Sequence, residues 1–137
     1  MEVDVYKEKV SRMKKYISLI CALMCIMTTA CGTDATFNGS KVRNENDLQM
    51  EYTVFNTTEQ HEFELEAEDR VIVDFEGDGG NVSLTIQKDG EDYIYAGNKM
   101  QTGSFSVGAS EAGIYTVTVE GKNAKGSIHV FVEKAEE

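Results

Sequence analysis

The sequence predicts an all-β domain, an antiparallel β-sandwich of about eight short strands, behind an N-terminal export signal and a polar tether. Three observations carry that expectation. Beyond residue 50, apolar and polar residues alternate with a period of two. The apolar positions are dominated by Val, Ile, Phe and Tyr, residues that suit a pleated, half-buried surface. Clusters of Gly, Asp and Asn recur between the runs at the spacing expected of short strands joined by turns.

Each run can be justified in order. Residues 51–55 (EYTVF) open the series. In residues 61–67, Phe63, Leu65 and Ala67 share one face and Glu62, Glu64 and Glu66 the other. In residues 70–76, Val71, Val73 and Phe75 point inward, with Arg70, Asp74 and Glu76 outward. Val82, Leu84 and Ile86 form the inward set of 82–88. Residues 92–96 hold Tyr93, Ile94 and Tyr95, and 104–107 turn in Phe105 and Val107. Tyr115, Val117 and Val119 are the inward set of 114–120, and Ile128, Val130 and Val132 that of 124–134. Glu68-Asp69, residues 77–81 (GDGGN), Asp89-Gly90 and residues 121–123 (GKN) are expected as the turns between them. Asp89-Gly90 is also a two-residue hairpin signal, because both residue types tolerate positive φ. About eight strands cannot all be central in one sheet, so two facing antiparallel sheets fit best.

The N-terminal third follows different rules. Arg12, Lys14 and Lys15 precede an uncharged apolar run from Tyr16 to Met27, and Thr28, Thr29 and Ala30 bring small residues up to Cys31. Charge, short apolar run and small-residue cleavage site form a secretory signal. The run is too short for a membrane span, which takes about 20 apolar residues. Residues 1–30 are therefore expected as a signal peptide. Glu2, Asp4 and Glu8 place acid where such a signal wants none, which makes Met13 the better start. The small residues before Cys31 resemble the lipobox of bacterial lipoproteins, although Thr28 stands where that motif prefers Leu. The resemblance implies a diacylated Cys31 as first mature residue, two acyl chains being enough for stable anchoring. The chain is then expected on the extracytoplasmic face of the cell membrane. Residues 33–49 are polar, with isolated Phe37, Val42 and Leu48, and read as a flexible tether reaching on the order of 20–25 Å, so that 31–50 is expected as the lipidated Cys and its tether. The domain is expected over 51–137.

Composition narrows the function. Beyond Cys31 there are 21 acidic and 8 basic residues. Such a surface repels nucleic acid, whose binding depends on Lys and Arg neutralising phosphates. Cys21 and Cys25 fall in the signal, so Cys31 is the sole mature cysteine and no intramolecular disulfide can form. Gly-x-Ser-x-Gly, His-Glu-x-x-His and phosphate-loop patterns are absent from the sequence, so no enzyme is expected.

Residues 61–132 resemble the β-sandwich modules of the bacterial pre-peptidase C-terminal type. The motifs are 73–80 (VDFEGDGG), 82–86 (VSLTI), the 88–90 (KDG) hairpin, 111–119 (EAGIYTVTV) and 126–130 (GSIHV). With the lipobox, the chain resembles small lipoproteins of low-GC Gram-positive bacteria. Residues 111–115 also resemble a tyrosine corner, in which the Tyr115 hydroxyl bonds back to nearby backbone. The family implies a non-catalytic accessory or binding module.

Three constellations are candidates for chemistry. Asp74, Glu76 and Asp78 place oxygen donors at alternate positions, and Asn81 adds a fourth; calcium is the ion such a set suits. The EF-hand pattern fails, because its twelfth position, counted from Asp74, is Thr85 rather than Glu. Tyr93 and Tyr95 share one strand face opposite Ile94. If Ile94 is the core residue, both rings are exposed and can stack on a sugar or a partner chain; if the rings are the core, they only pack. His61 and His129 are expected as solvated side chains. The expectation is a membrane-anchored binding or accessory module with a protein or glycan partner. The alternatives are a calcium-responsive module using the 74–81 turn, and a structural envelope spacer.

Overall fold

The computed structural model describes residues 36–136; the expected signal peptide, Met13 start and lipidation of Cys31 fall outside the described residues. Seven strands are present and no helix occurs among the described residues: β1 Phe37–Asn44, β2 Asp47–Phe55, β3 Thr58–Leu65, β4 Arg70–Lys88, β5 Tyr93–Gly97, β6 Gly103–Gly108 and β7 Gly113–Glu133. All pairings are antiparallel.

The organising unit is the long ribbon of β4 and β7, paired from Arg70↔Glu133 to Lys88↔Tyr115. The ribbon serves two strand sets. In the first, residues 70–75 of β4 carry β6, and residues 124–131 of β7 carry β2, which carries β1. In the second, residues 84–87 of β4 carry β5 and residues 113–120 of β7 carry β3. Between the sets the register shifts twice, at Gly77/Gly79 and at Gly79/Asn81. The inward phase of β4 changes there, from Val71, Val73 and Phe75 to Val82, Leu84 and Ile86. In β7 it changes from Tyr115, Val117 and Val119 to Ile128 and Val130. Extra residues in a strand bend it and re-aim its side chains. Both sets therefore send apolar residues into one cluster, which also takes Leu48, Met50 and Phe55 from β2 and Phe63 and Leu65 from β3.

Three expectations are corrected. Residues 77–81 and 121–123 are not loops between strands but the bend of the ribbon, so four expected strands are two. Gly, Asp and Asn suit a bulged bend as well as a turn, and local sequence does not separate the two. Gly121 is required there by packing, since a Cβ would strike the ring and carbonyl of Phe55. Second, the expected tether over 31–50 is occupied from Phe37 onward by β1 and the start of β2. Leu48 and Met50 are fully buried, and Phe37 packs edge-on against Phe55 at 6.0 Å between ring centroids. β1 is an edge strand whose outward residues have nothing to cover, so it shows no alternation. Lys41 and Arg43 reach from it to Glu59, and Lys41 Nζ lies 4.0 Å from the centroid of the Phe37 ring. Third, the expected turn at Asp89-Gly90 is present, closed by Glu91 N–H donating to Lys88 O at 3.0 Å, but the hairpin loop is residues 89–92 rather than two residues, and only Gly90, at φ 75°, takes positive φ.

The tyrosine corner is present. Tyr115 is buried and its hydroxyl donates to Glu111 O at 2.8 Å. This fixes the loop from β6 into β7, which Lys88 also holds through Glu111 at 2.7 Å while pairing with Glu91 of its own β4–β5 loop at 3.1 Å. Hydrogen bonds to Glu111 and then Glu91 raise the Lys88 pKa above its ordinary value.

Candidate functional site

Residues that leave the core face in the first strand set form a polar surface crossing all five of its strands. The registers lay it out in rows: Val42, Gln49, His129, Asp74 and Ser104 in one, and Ser40, Glu51, Ser127 and Glu76 in the next. Two adjoining depressions run over these rows. One, of about 460 Å³, is lined by Ser40, Glu51, Glu76, Asp78, Lys125 and Ser127 among others. The other, of about 400 Å³, includes Glu51, Asp74, Glu76, Thr102, Ser127 and His129. They share Glu51, Glu76 and Ser127 and so make one open furrow.

The furrow wall is held by few fixed contacts. His129 Nε2 lies 2.6 Å from Asp47 Oδ1, and its ring packs on Phe131 with centroids 4.7 Å apart. Thr102 Oγ1 accepts from Gly77 N–H at 3.0 Å, tying the loop before β6 to the ribbon bend. Asp47, His129 and Ser127 supply the side-chain types of an acyl-transfer triad. Ser127 is two residues from His129 on one strand, about 6.6 Å along the backbone, and the bonded partner of the imidazole Nε2 is Asp47. What the surface offers is carboxylate and hydroxyl oxygens to an incoming hydrogen-bond donor.

The sequence-derived candidates separate. Asp74 and Glu76 stand on the furrow floor and Asp78 on its rim, while Asn81 lies beyond the bend opposite Lys122. Extended β4 spreads the four along the ribbon, and among the described residues no three His, Cys, Asp or Glu side chains gather closely enough to hold a metal ion. Tyr93 and Tyr95 are divided by a bulge: Ile86 pairs with Tyr95 and Gln87 with Tyr93, leaving Ile94 as the extra residue. Tyr95 packs against the core edge and Phe105, with centroids 4.8 Å apart, whereas Tyr93 is 59% exposed and Ile94 38%. Neither alternative for this strand holds whole, because each assumes an unbroken period of two. His129 is half-buried and bonded rather than free in solvent, and His61 Nε2 lies 2.8 Å from Asn44 O.

Glu51, Ser127 and Thr102 were not singled out by sequence. The outward phase of β2 and β7 is readable for the first two, but their meeting depends on the Glu51↔Ser127 pairing, which joins residues far apart in the chain.

No family model matches the chain, and no curated protein does. Several solved structures are similar to it. A periplasmic inhibitor of g-type lysozyme, PliG of Aeromonas hydrophila, is 14% identical over 74% of this chain and 92% of its own, with TM-score 0.44. The pre-peptidase C-terminal domain of a Bacillus anthracis collagenase is 12% identical over 74% of this chain and all of its own, with TM-score 0.47. A carbohydrate-binding module of Cellvibrio mixtus lichenase 5A, solved with cellotriose, is 12% identical over 77% and 92%, with TM-score 0.42.

Proposed function

We propose that the chain is a lipid-anchored extracytoplasmic lipoprotein whose domain, a β-sandwich with the two strand sets as facing layers, is a non-catalytic binding module. The observation that carries the binding role is the furrow: an open, polar surface built by five strands whose inward residues form the core. A site open along its length does not exclude water, which suits recognition better than bond-breaking chemistry. The export signal and Cys31 support the anchor. With β1 starting at Phe37, residues 32–36 link Cys31 to the domain, and at about 3.6 Å per extended residue the six steps from Cys31 to Phe37 reach at most about 22 Å. The partner, a protein or a glycan, is then met close to the membrane.

The two parts are tested separately. Labelled palmitate should enter the protein in a bacterial host and fail to enter the Cys31→Ser variant; equal labelling overturns the anchor. Full-length protein in detergent should retain a ligand from isolated envelope protein or polysaccharide fractions, and Glu51→Ala/Glu76→Ala should lose it with an unchanged melting temperature. Equal retention by both removes the furrow from the reading.

A further inference from the structure

We propose a second site on the opposite layer: the outer face of β3, β7, β4 and β5 binds a neutral saccharide chain, with Tyr93 as its stacking platform. This face differs from the furrow in charge. Residues paired across it give one row of Tyr93, Gln87, Thr116 and Glu62. The next row is Ala96, Thr85, Thr118 and Gln60. In a domain with 21 acids beyond Cys31, the two inner strands place no charged side chain in these two rows, and carboxylates stand at their margins, Glu62 on β3 and Glu120 in the adjoining row.

The bulge in β5 is the second observation. Gln87 pairs with Tyr93, so the tyrosine shares the outward face of Gln87, and the skipped Ile94 is solvent-exposed beside it. A bulge breaks the regular ladder that strand addition by a peptide needs, while re-aiming side chains. What is left for recognition at this edge is therefore side-chain chemistry. An aromatic face takes the C–H face of a pyranose, and amide and hydroxyl groups take its hydroxyls. Gln87 Nε2 is held by Glu91 O at 2.8 Å, which fixes the amide with its oxygen as an acceptor. Gln60 Nε2 donates to Thr118 Oγ1 at 3.3 Å, which orients that hydroxyl too. Neighbouring strands are about 4.8 Å apart, close to the repeat of an extended β-linked pyranose chain. Successive rings therefore meet Tyr93, Gln87 and Thr116 in turn. The marginal carboxylates exclude acidic saccharides.

The experiment is calorimetric titration of the full chain, in a detergent without a sugar headgroup, with cellohexaose, chitohexaose and the acidic hexagalacturonate. At least one neutral hexasaccharide should bind and hexagalacturonate should not. Tyr93→Ala should weaken binding about tenfold, the effect of losing one stacked ring. Gln87→Ala should weaken it without lowering the melting temperature, and Glu76→Gln should leave it unchanged. Absence of binding by both neutral probes, equal binding of the acidic one, or binding indifferent to Tyr93→Ala overturns the proposal. Binding lost in Glu76→Gln but kept in Tyr93→Ala puts the saccharide in the furrow. That outcome overturns this site and leaves the binding-module reading standing.

Discussion

Asp69 should be the most costly polar residue to replace. It is the one buried charged residue among those described, 2% exposed, in the turn between β3 and β4. Oδ2 accepts from Glu66 N–H at 2.8 Å and Lys134 Nζ at 3.1 Å, and Oδ1 accepts from Ala135 N–H at 2.9 Å. Its own carbonyl accepts from Ala109 N–H at 2.8 Å. One residue thus ties the β3–β4 turn to the segment after β7 and to the loop before it. The Ala135 and Glu66 amides, in that order, hold the carboxyl below the usual range, with Lys134 adding and burial opposing. Asp69→Ala leaves two amides without acceptors. At about 1.5–3 kcal/mol for each hydrogen bond to a charged group, and under 1 kcal/mol for half-exposed Lys134, the loss is about 3–7 kcal/mol. For a domain of this size that lowers Tm by roughly 15–35 °C. Asp69→Asn keeps one carbonyl oxygen and turns an NH2 toward the other amide, so about half the loss is expected. The pH dependence has a fixed sign. A depressed folded-state pKa contributes stability that is complete above the unfolded value, about 3.9, and is lost as pH falls through the folded value. Thermal melts by circular dichroism at pH 7, 3.5 and 2 should show the gap between wild type and Asp69→Asn narrowing below pH of about 4. A Tm loss under about 4 °C for Asp69→Ala at pH 7, or a gap that stays constant to pH 2, would refute the account.

Four further outcomes follow from named contacts. Tyr52 is buried, its hydroxyl has no partner among the described residues, and burial pushes its pKa up to about 12. Tyr52→Phe removes an unpaired polar group and should raise stability by about 1 kcal/mol, read as a higher Tm. Tyr115→Phe loses the bond to Glu111 O and should cost about 1 kcal/mol in a urea titration, with the slope unchanged. Gly121→Ala forces a methyl into Phe55 and should cost about 1–3 kcal/mol in the same titration. Melts in calcium and in chelator should coincide, because Asp74, Glu76, Asp78 and Asn81 are strung along a strand; a rise of about 10 °C in calcium would restore the ion site.

The fold was largely legible because the core obeys a period of two: every inward residue assigned to 70–76, 82–88 and 114–120 is buried. What escaped were features set by non-local pairing. β1 forms because Phe37 reaches the Phe55 ring and because β2 offers a ladder, and neither is written in residues 37–44. The ribbon bend was legible as an interruption but not as a continuation. Its Gly and Asn residues stay paired across β4 and β7 at Gly79↔Lys125 and Asn81↔Lys122, and only the partner strand reveals that.

The candidate sites were less legible for the same reason. A furrow is a property of several strands at once. Asp74 and Glu76 were visible as an alternating acidic pair, and reading them alone suggested an ion. Placed beside Glu51 and Ser127 by register, they become the floor of an extended surface rather than the donor set of one ion. The tyrosines show the converse. Read as a pair they demanded one environment, yet a single skipped residue in β5 gave Tyr95 to the core edge and Tyr93 to solvent. The bend converts the even alternation of β4 and β7 into two outward faces of unequal charge: acidic where Asp74 and Glu76 lie across β7 from β2 and its Glu51, uncharged where Thr85 and Gln87 face Thr118 and Thr116. One ribbon thereby builds both surfaces around a shared core. Substitutions on either outer face should therefore change binding while leaving the melting temperature in place, whereas Gly121, at the bend, should change stability first.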